Sequence, residues 1–284
     1  MVFLKQIKKI CVFGGDKRQR YIAEMLCPRG VETVSKSDDI SKEKLSVFDC
    51  FLLPVPVTRD GYRLGVENDI LLMDLFEALP YECTVIGGKI PRFFADHLIT
   101  KDIQICDFYE DKEYIWKNAK ITAEGALMLL MSESEFSLEG VKALVCGYGR
   151  IGKCLSEILG AHGVDVTVAA RKKEVLLEAT IFGGFETEHI EYSRVGSPDT
   201  HGRYDVIFNT IPSRIFDDEN ASILENSIYI ELASAPYGGD GETIEKYCKK
   251  YILASGLPGK YAPQSDAEEA FKAISRHIFE EKHI

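Results

Sequence analysis

The chain has 284 residues, of which 45% are hydrophobic and 28% charged, with a formal net charge of −11. That length buries one large core or two ordinary ones, and the acidic balance argues against non-specific binding to nucleic acid or to an anionic membrane. No apolar run approaches the roughly 20 residues of a membrane span, and the run near the amino terminus is too short for a secretory signal.

Lys9–Phe13 reads as a first strand, followed by the turn "GGDKRQ" and a helix over Arg18–Leu26. Val47–Val57 reads as a buried strand closed by prolines, and Asn68–Leu79 as an amphipathic helix with an Asn/Asp start signal. Cys83–Gly88 and Asp102–Tyr109 supply two more strands. From Ile115 to Ser134 the spacing is helical, as one long helix or two short ones joined near Ala119–Thr122.

The pattern then restarts. Strands are expected at Ala143–Cys146, Asp165–Ala169, Asp205–Asn209, Ser227–Leu232 and Tyr251–Ala254. Helices are expected at Ile151–His162, Lys173–Thr180, Ile244–Lys249 and Asp266–Lys282. Strands alternating with helices imply an α/β fold. It comprises two Rossmann-like domains, each a doubly wound, mostly parallel sheet, joined by a bridging helix segment. The expected divisions are 1–118, a bridge over 119–140, a nucleotide-binding domain over 141–262, and a last helix over 263–284 crossing back towards the first domain.

Gly147, Gly149 and Gly152 match G-x-G-x-x-G between a strand and a helix, the setting in which that motif binds a dinucleotide. The first glycine permits the turn, the second lets a pyrophosphate approach bare backbone, and the third lets helix and strand pack closely. The helix N-terminus adds unpaired N–H groups and partial positive charge. Tyr148, Arg150 and Ile151 complete the loop. About 20 residues on, an NAD-selective site carries Asp or Glu; here Ala170 stands there, followed by Arg171, Lys172 and Lys173. A guanidinium grips a 2′-phosphate that a carboxylate repels, so NADP (NADPH) is expected over NAD. The competing reading is a solvated basic helix start.

Later strands end in "FNTIPS", "ELASAPYGGD" and "ASGLPGKYAP". Ligand crevices in such sheets lie at the strands' carboxyl ends. Asn209, Thr210, Ile211, Pro212, Ala233, Ser234, Leu257 and Pro258 are therefore candidate cofactor neighbours.

The motifs "VFGGDKRQ", "ITAEGALMLLM", "VCGYGRIG", "FNTIPS", "ELASAPYGG" and "GLPGKYAP", in this order, resemble the family of dipicolinate synthase A-subunits over nearly the whole chain. The resemblance implies NADP-dependent formation of pyridine-2,6-dicarboxylate from a dihydro- or hydroxy-tetrahydrodipicolinate precursor. It also implies a second, flavoprotein-like polypeptide, the dipicolinate synthase B-subunit, and a cytoplasmic place in a sporulating mother cell.

The turn "GGDKRQ" lacks the third glycine and places Asp16 where a phosphate would come, so it reads as a substrate-side copy of the motif. Gly14, Gly15, Asp16 and Arg18, with Lys17 and Arg20 nearby, are expected to meet a dicarboxylate. The competing reading makes Asp16 a helix cap and leaves the basic residues in water. Pro54, Val55 and Arg59 follow the second strand and Gly87, Gly88 and Lys89 the third. Thr122 and Glu124 are read as the polar start of the bridging helix, facing substrate or acting as a cap.

Candidate bases are Glu124, Asp16 and Glu231, while His97, His162, His189, His201, His277 and His283 read as surface or packing residues. The eight cysteines form no C-x-x-C pair, so reduced thiols and no metal site are expected. Alternatives are another two-domain NADP reductase, of shikimate-dehydrogenase type, and a non-catalytic NADP-binding component of a two-polypeptide complex. A homo-oligomer is compatible with the long last helix.

Overall fold

The computed structural model describes residues 7–28, 30–34, 40–65, 69–190, 195 and 203–279. Asn68, His201, His283 and the expected end of the last helix at 280–282 lie outside them. The chain divides into two units: unit 1 is Met1–Asn118 with Gly259–Ile284, and unit 2 is Ala119–Pro258.

Unit 1 holds five strands: β1 (Ile10–Phe13), β2 (Val31–Val34), β3 (Cys50–Leu52), β4 (Thr84–Gly87) and β5 (Gln104–Asp107). They pair in parallel in the order β2-β1-β3-β4-β5. The order reverses between β1 and β3, so the carboxyl ends of those two strands flank the crevice where sheets of this order take ligands. β1 and β3 are buried along their whole length because helices cover both faces.

Helices α1 (Lys17–Leu26), α2 (Lys42–Leu45), α3 (Leu72–Ala78) and α4 (Arg92–Ile99) alternate with these strands. Side chains alternate between faces as the strand period requires. Cys11, Phe13, Phe51 and Val85 meet Leu72, Leu75, Phe94 and Leu98 of α3 and α4. Ile10, Val12, Leu52 and Ile86 turn the other way, towards Ile22 and Ala23 of α1. The strand expected over Val47–Val57 narrows to three residues, because Pro54 and Pro56 cannot donate to a ladder. β2 and α4 carry too weak a pattern to be read in advance.

α5 (Lys112–Glu133) is one continuous helix, which settles the choice between one helix and two. In unit 2 it is followed by β6 (Lys142–Cys146), α6 (Arg150–Ala161), β7 (Asp165–Ala170), α7 (Lys173–Gly183) and β8 (Glu186–His189). Then come β9 (Val206–Asn209), β10 (Ile228–Glu231), α8 (Gly241–Tyr247) and β11 (Lys250–Leu253). All neighbouring pairs are parallel, in the order β11-β10-β9-β6-β7-β8. Numbered within the unit this is 3-2-1-4-5-6, the order of dinucleotide-binding sheets, with its switch point between β6 and β9.

β8 was not expected: "ETEH" is polar and lies at the sheet edge, so it lacks the apolar signal of a buried strand. The strand ending in "FNTIPS" is therefore the fourth of its unit, and the next two loops follow the fifth and sixth.

One face of this sheet packs Val145, Phe208 and Ile230 on Ala123, Ala126 and Leu130 of α5 and on Leu155 and Leu159 of α6. The other packs Leu144, Ile207 and Tyr229 on Ile215, Phe216, Leu224 and Ile244. α9 (Leu257–Tyr261) and α10 (Pro263–Phe279) end the chain. α10 lays Ala267, Ala270, Ala273 and Ile274 in the unit 1 core with Ile22 and Ala23 of α1; small side chains let the two helices approach closely.

Candidate functional site

In unit 2 the turn after β6 bends sharply. Gly147 has φ 99° and donates its N–H to the Ala169 carbonyl at 2.8 Å. A Cβ on Gly147 would strike Thr210 Oγ1, and one on Gly152 would strike the Gly147 carbonyl. Packing within the unit explains both glycines. Gly149 is different: a Cβ there would meet nothing within 4 Å. It is also the N-cap of α6 and offers no side-chain cap, so no cap side chain occupies the donors of the first turn. This backbone fits a phosphate cradle.

Arg150 beside it is exposed and Ile151 half-buried. Tyr148 points elsewhere: its ring is buried edge-on against Phe185, with the Lys153 ammonium 5.4 Å from its centroid. Its place in the loop is a packing one. Thr210 ties the switch point, its N–H and Oγ1–H both donating to the Cys146 carbonyl at 2.9 and 2.8 Å.

At the end of β7 Ala170 is buried while Arg171 and Lys172 are exposed. Lys172 is the N-cap of α7 and, like Gly149, makes no side-chain cap. Parallel pairing places His189 of β8 beside Ala170. Its Nε2 lies 3.0 Å from the Arg171 carbonyl oxygen.

Asn209 and Glu231 have turned inward. Glu231 is 1% exposed and accepts from Asn209 Nδ2, Tyr229 Oη, Ala233 N and Gly238 N at 2.8–3.0 Å. Burial pushes its carboxyl up, and the four donors oppose that. A carboxylate so engaged pins the loop after β10 to β9; it is not placed as a base. Asn209, fully buried, receives Ile211 N–H on its Oδ1 and serves the same web. Ser234 is exposed, Ala233, Ile211 and Pro212 half-buried, and Leu257 and Pro258 buried. All the expected cofactor neighbours lie in unit 2, at the carboxyl ends of its strands.

Unit 1 corrects the reading of Arg18. Asp16 is the N-cap of α1, accepting from Arg18 N, while Gln19 Oε1 accepts from Asp16 N in a capping box. The Arg18 guanidinium then folds back: Nε and Nη2 reach the Asp16 carboxylate at 2.7–3.0 Å, and Nη1 reaches Asp266 Oδ2 at 2.9 Å. Asp266 is fully buried and also accepts from Asn118 Nδ2 at 3.0 Å and the Tyr114 phenol at 3.4 Å. Arg18 is 5% exposed, with every guanidinium nitrogen engaged. It is a structural cation joining α1, α5 and α10, and not the group that meets substrate.

Gly259 supports this directly, since a Cβ there would strike the Asp16 carboxylate and come within 3.0 Å of Arg18 Nε. The motifs "GGDKRQ" and "GLPGKY" therefore form one packed unit. Asp266, Tyr114 and Asn118 escaped sequence reading because no local pattern links them.

At the same carboxyl edge, Gly14 and Gly15 have φ 61° and 94°, a conformation open to glycine. A Cβ on Gly88 would strike the Tyr109 ring and Val55, and one on Gly87 would strike Val57. The exposed Lys89 ammonium sits 5.2 Å from the Tyr109 centroid. Burial pushes the Tyr109 phenol up and Arg18 opposes it. Pro54 is buried, Val55 half-buried and Arg59 exposed.

Thr122 and Glu124 neither start nor cap a helix, because α5 runs unbroken through them. Thr122 is buried and Glu124 exposed, and residues two apart do not share a helix face. Both lie in unit 2, as does Glu231, whereas Asp16 lies in unit 1. Neither unit gathers the three expected acids.

A groove of about 820 Å³ between α6 and α7 reaches Lys142 and Asp165, at the strands' amino ends. It is not the dinucleotide crevice, which this sheet order puts at the carboxyl ends. The eight cysteines are all thiols, and burial pushes Cys11 and Cys106 up to about 12, where they are poor nucleophiles.

Two parallel Rossmann-like sheets, one in dinucleotide order with a G-x-G-x-x-G turn at its switch point, define the dehydrogenase class of fold. Within it, residues 9–109 match the family model of the N-terminal domain of the dipicolinate synthase A-subunit. The chain is similar over nearly its whole length to the dipicolinate synthase A-subunit of Bacillus subtilis (strain 168), 26% identical over 293 residues and covering 96% of both chains.

The crystal structure of the corresponding protein from Bacillus halodurans has the same fold, with a TM-score of 0.77 at 24% identity, covering 97% of this chain and 99% of that one. The NADP(+) shikimate dehydrogenase of Shouchella clausii (strain KSM-K16) is 24% identical over 161 residues, 56% of this chain and 52% of that protein.

Among the described residues no helix is long and apolar enough to cross a membrane.

Proposed function

We propose that the chain is the NADP-binding component of a dipicolinate synthase, oxidising dihydrodipicolinate, formed from its hydroxy-tetrahydro precursor by loss of water, to pyridine-2,6-dicarboxylate. The balance is dihydrodipicolinate plus NADP⁺ giving dipicolinate, NADPH and a proton. The observation that carries the reading is Gly149. Nothing in the protein forbids a side chain there, yet it lies at an uncapped helix N-terminus on the switch-point strand. Close approach of a pyrophosphate accounts for it.

When bound, the nicotinamide supplies the hydride acceptor. Gly147, Gly149 and Gly152 shape its phosphate cradle, and Arg171 and Lys172 face the 2′-phosphate. Glu231 and Asn209 act one layer back, holding the loops that border the cofactor. In unit 1 the switch point between β1 and β3 is the substrate side. Exposed Arg59 and Lys89 are its cations for carboxylates, and Tyr109 with Gly88 forms a flat wall. Aromatisation drives the reaction, so the chain's main contribution is orientation. The dipicolinate synthase B-subunit is the expected partner, by the name of the Bacillus subtilis relative, and a sporulating mother cell's cytoplasm the expected place.

The similarity to a shikimate dehydrogenase favours one second reading, an NADP-dependent reductase of that type. Offering shikimate and dihydrodipicolinate separately, each with NADP⁺, discriminates the two. Reduction of NADP⁺ by shikimate alone overturns the dipicolinate reading.

A further inference from the structure

We infer that His189 is a recognition element for the 2′-phosphate of the dinucleotide, working beside Arg171; this rests on the NADP reading above. β8 is the edge strand next to β7, and their register sets His189 against Ala170, the position where an NAD-selective sheet carries its acid. The strands are locked there, since Ile190 N–H donates to the Ala170 carbonyl at 3.0 Å.

The imidazole is held as well. A carbonyl oxygen only accepts, so Nε2 donates its proton to the Arg171 carbonyl at 3.0 Å. Nδ1 is left directed to an external group, and the ring is exposed.

The surrounding charges agree. Arg171, Lys172 and Lys173 follow β7 directly and are exposed. The acids of β8, Glu186 and Glu188, project to the opposite strand face. They are engaged there by Arg203 Nη2 and the Tyr204 phenol, each at 3.0 Å. His189 thus stands with the cations, tethered to the backbone of Arg171, so its ring and the Arg171 loop are ordered together. A 2′-phosphate has three terminal oxygens and takes donors from more than one side chain.

The test is fluorescence titration of NADPH and NADH into the purified chain and its His189→Ala variant, with adenosine 2′,5′-bisphosphate and AMP as non-redox probes. The unaltered chain is expected to favour NADPH. The variant is expected to lose about tenfold in NADPH affinity, the effect of one charge-assisted hydrogen bond, with NADH changed by less than about twofold. The bisphosphate is expected to follow NADPH, and AMP to follow NADH.

Equal losses for NADPH and NADH mean an adenine or purely structural role and overturn the inference, as does unchanged NADPH binding. A wild-type chain that binds NADPH and NADH equally refutes the NADP reading itself, and that result is read before any variant is made. If His189→Ala fails to fold, His189→Lys is read instead: retained NADPH preference supports a donor role, and its loss contradicts it.

Discussion

Arg18 shows how one residue type carries two meanings. Its sequence setting, a cation beside a glycine turn and a helix N-terminus, is that of an anion ligand. Its surroundings supply two carboxylates of the protein's own, and Asp266 lies 248 positions away. Removing one partner of a buried ion pair strands the other charge in a poor solvent. Asp266→Ala is therefore expected to destabilise unit 1 by about 3–5 kcal/mol, with Arg18→Ala similar. Urea melts read this, and a loss below about 1 kcal/mol contradicts the structural role.

Arg171 is the opposite case: exposed, with no acid beside it in sequence, it is legible as a ligand from "VAARKKE" alone. Arg171→Glu is expected to raise the NADPH dissociation constant at least about tenfold while leaving NADH within about twofold, since only the 2′-phosphate meets the reversed charge. Equal effects on both nucleotides count against that assignment.

At the scale of elements, the buried strands were legible because "ICVF", "ALVC" and "VIFN" are apolar on both faces, which parallel sheets require. The polar edge strand β8 was not, and with it went the position of His189. Thr122 and Glu124 were misplaced because α5 has no internal break, so a polar pair in its middle mimics a helix start. The turn at Gly147–Gly152 was fully legible, since its spacing states its geometry.

α10 is fastened by more than its alanine face. Arg276 reaches both Asp111 oxygens at 2.9 and 3.0 Å, and this holds the Asp111 carboxyl below the usual range. A folded-state value below the unfolded one stabilises above the ordinary carboxylate range and is lost as pH falls through the folded value. Asp111→Asn is thus expected to cost about 1 kcal/mol at neutral pH, the pair being partly exposed. The gap between variant and wild type should close below about pH 4. Denaturant melts across that range check the sign; a gap that widens in acid contradicts it.

At the scale of the molecule, two sheets of different order sit in one chain: 2-1-3-4-5 in unit 1 and 3-2-1-4-5-6 in unit 2. The second is the dinucleotide order and carries the uncapped turn. The first carries a turn whose helix is already capped by Asp16, which leaves it no need of a phosphate. That contrast assigns cofactor to unit 2 and substrate to unit 1. The reaction is tested most directly by mixing the purified chain, alone and with its flavoprotein-like partner, with freshly generated dihydrodipicolinate and NADP⁺, and following NADPH and dipicolinate together. One NADPH formed per dipicolinate is the predicted result; dipicolinate appearing at the same rate without NADP⁺, or no NADPH with both polypeptides present, would contradict it.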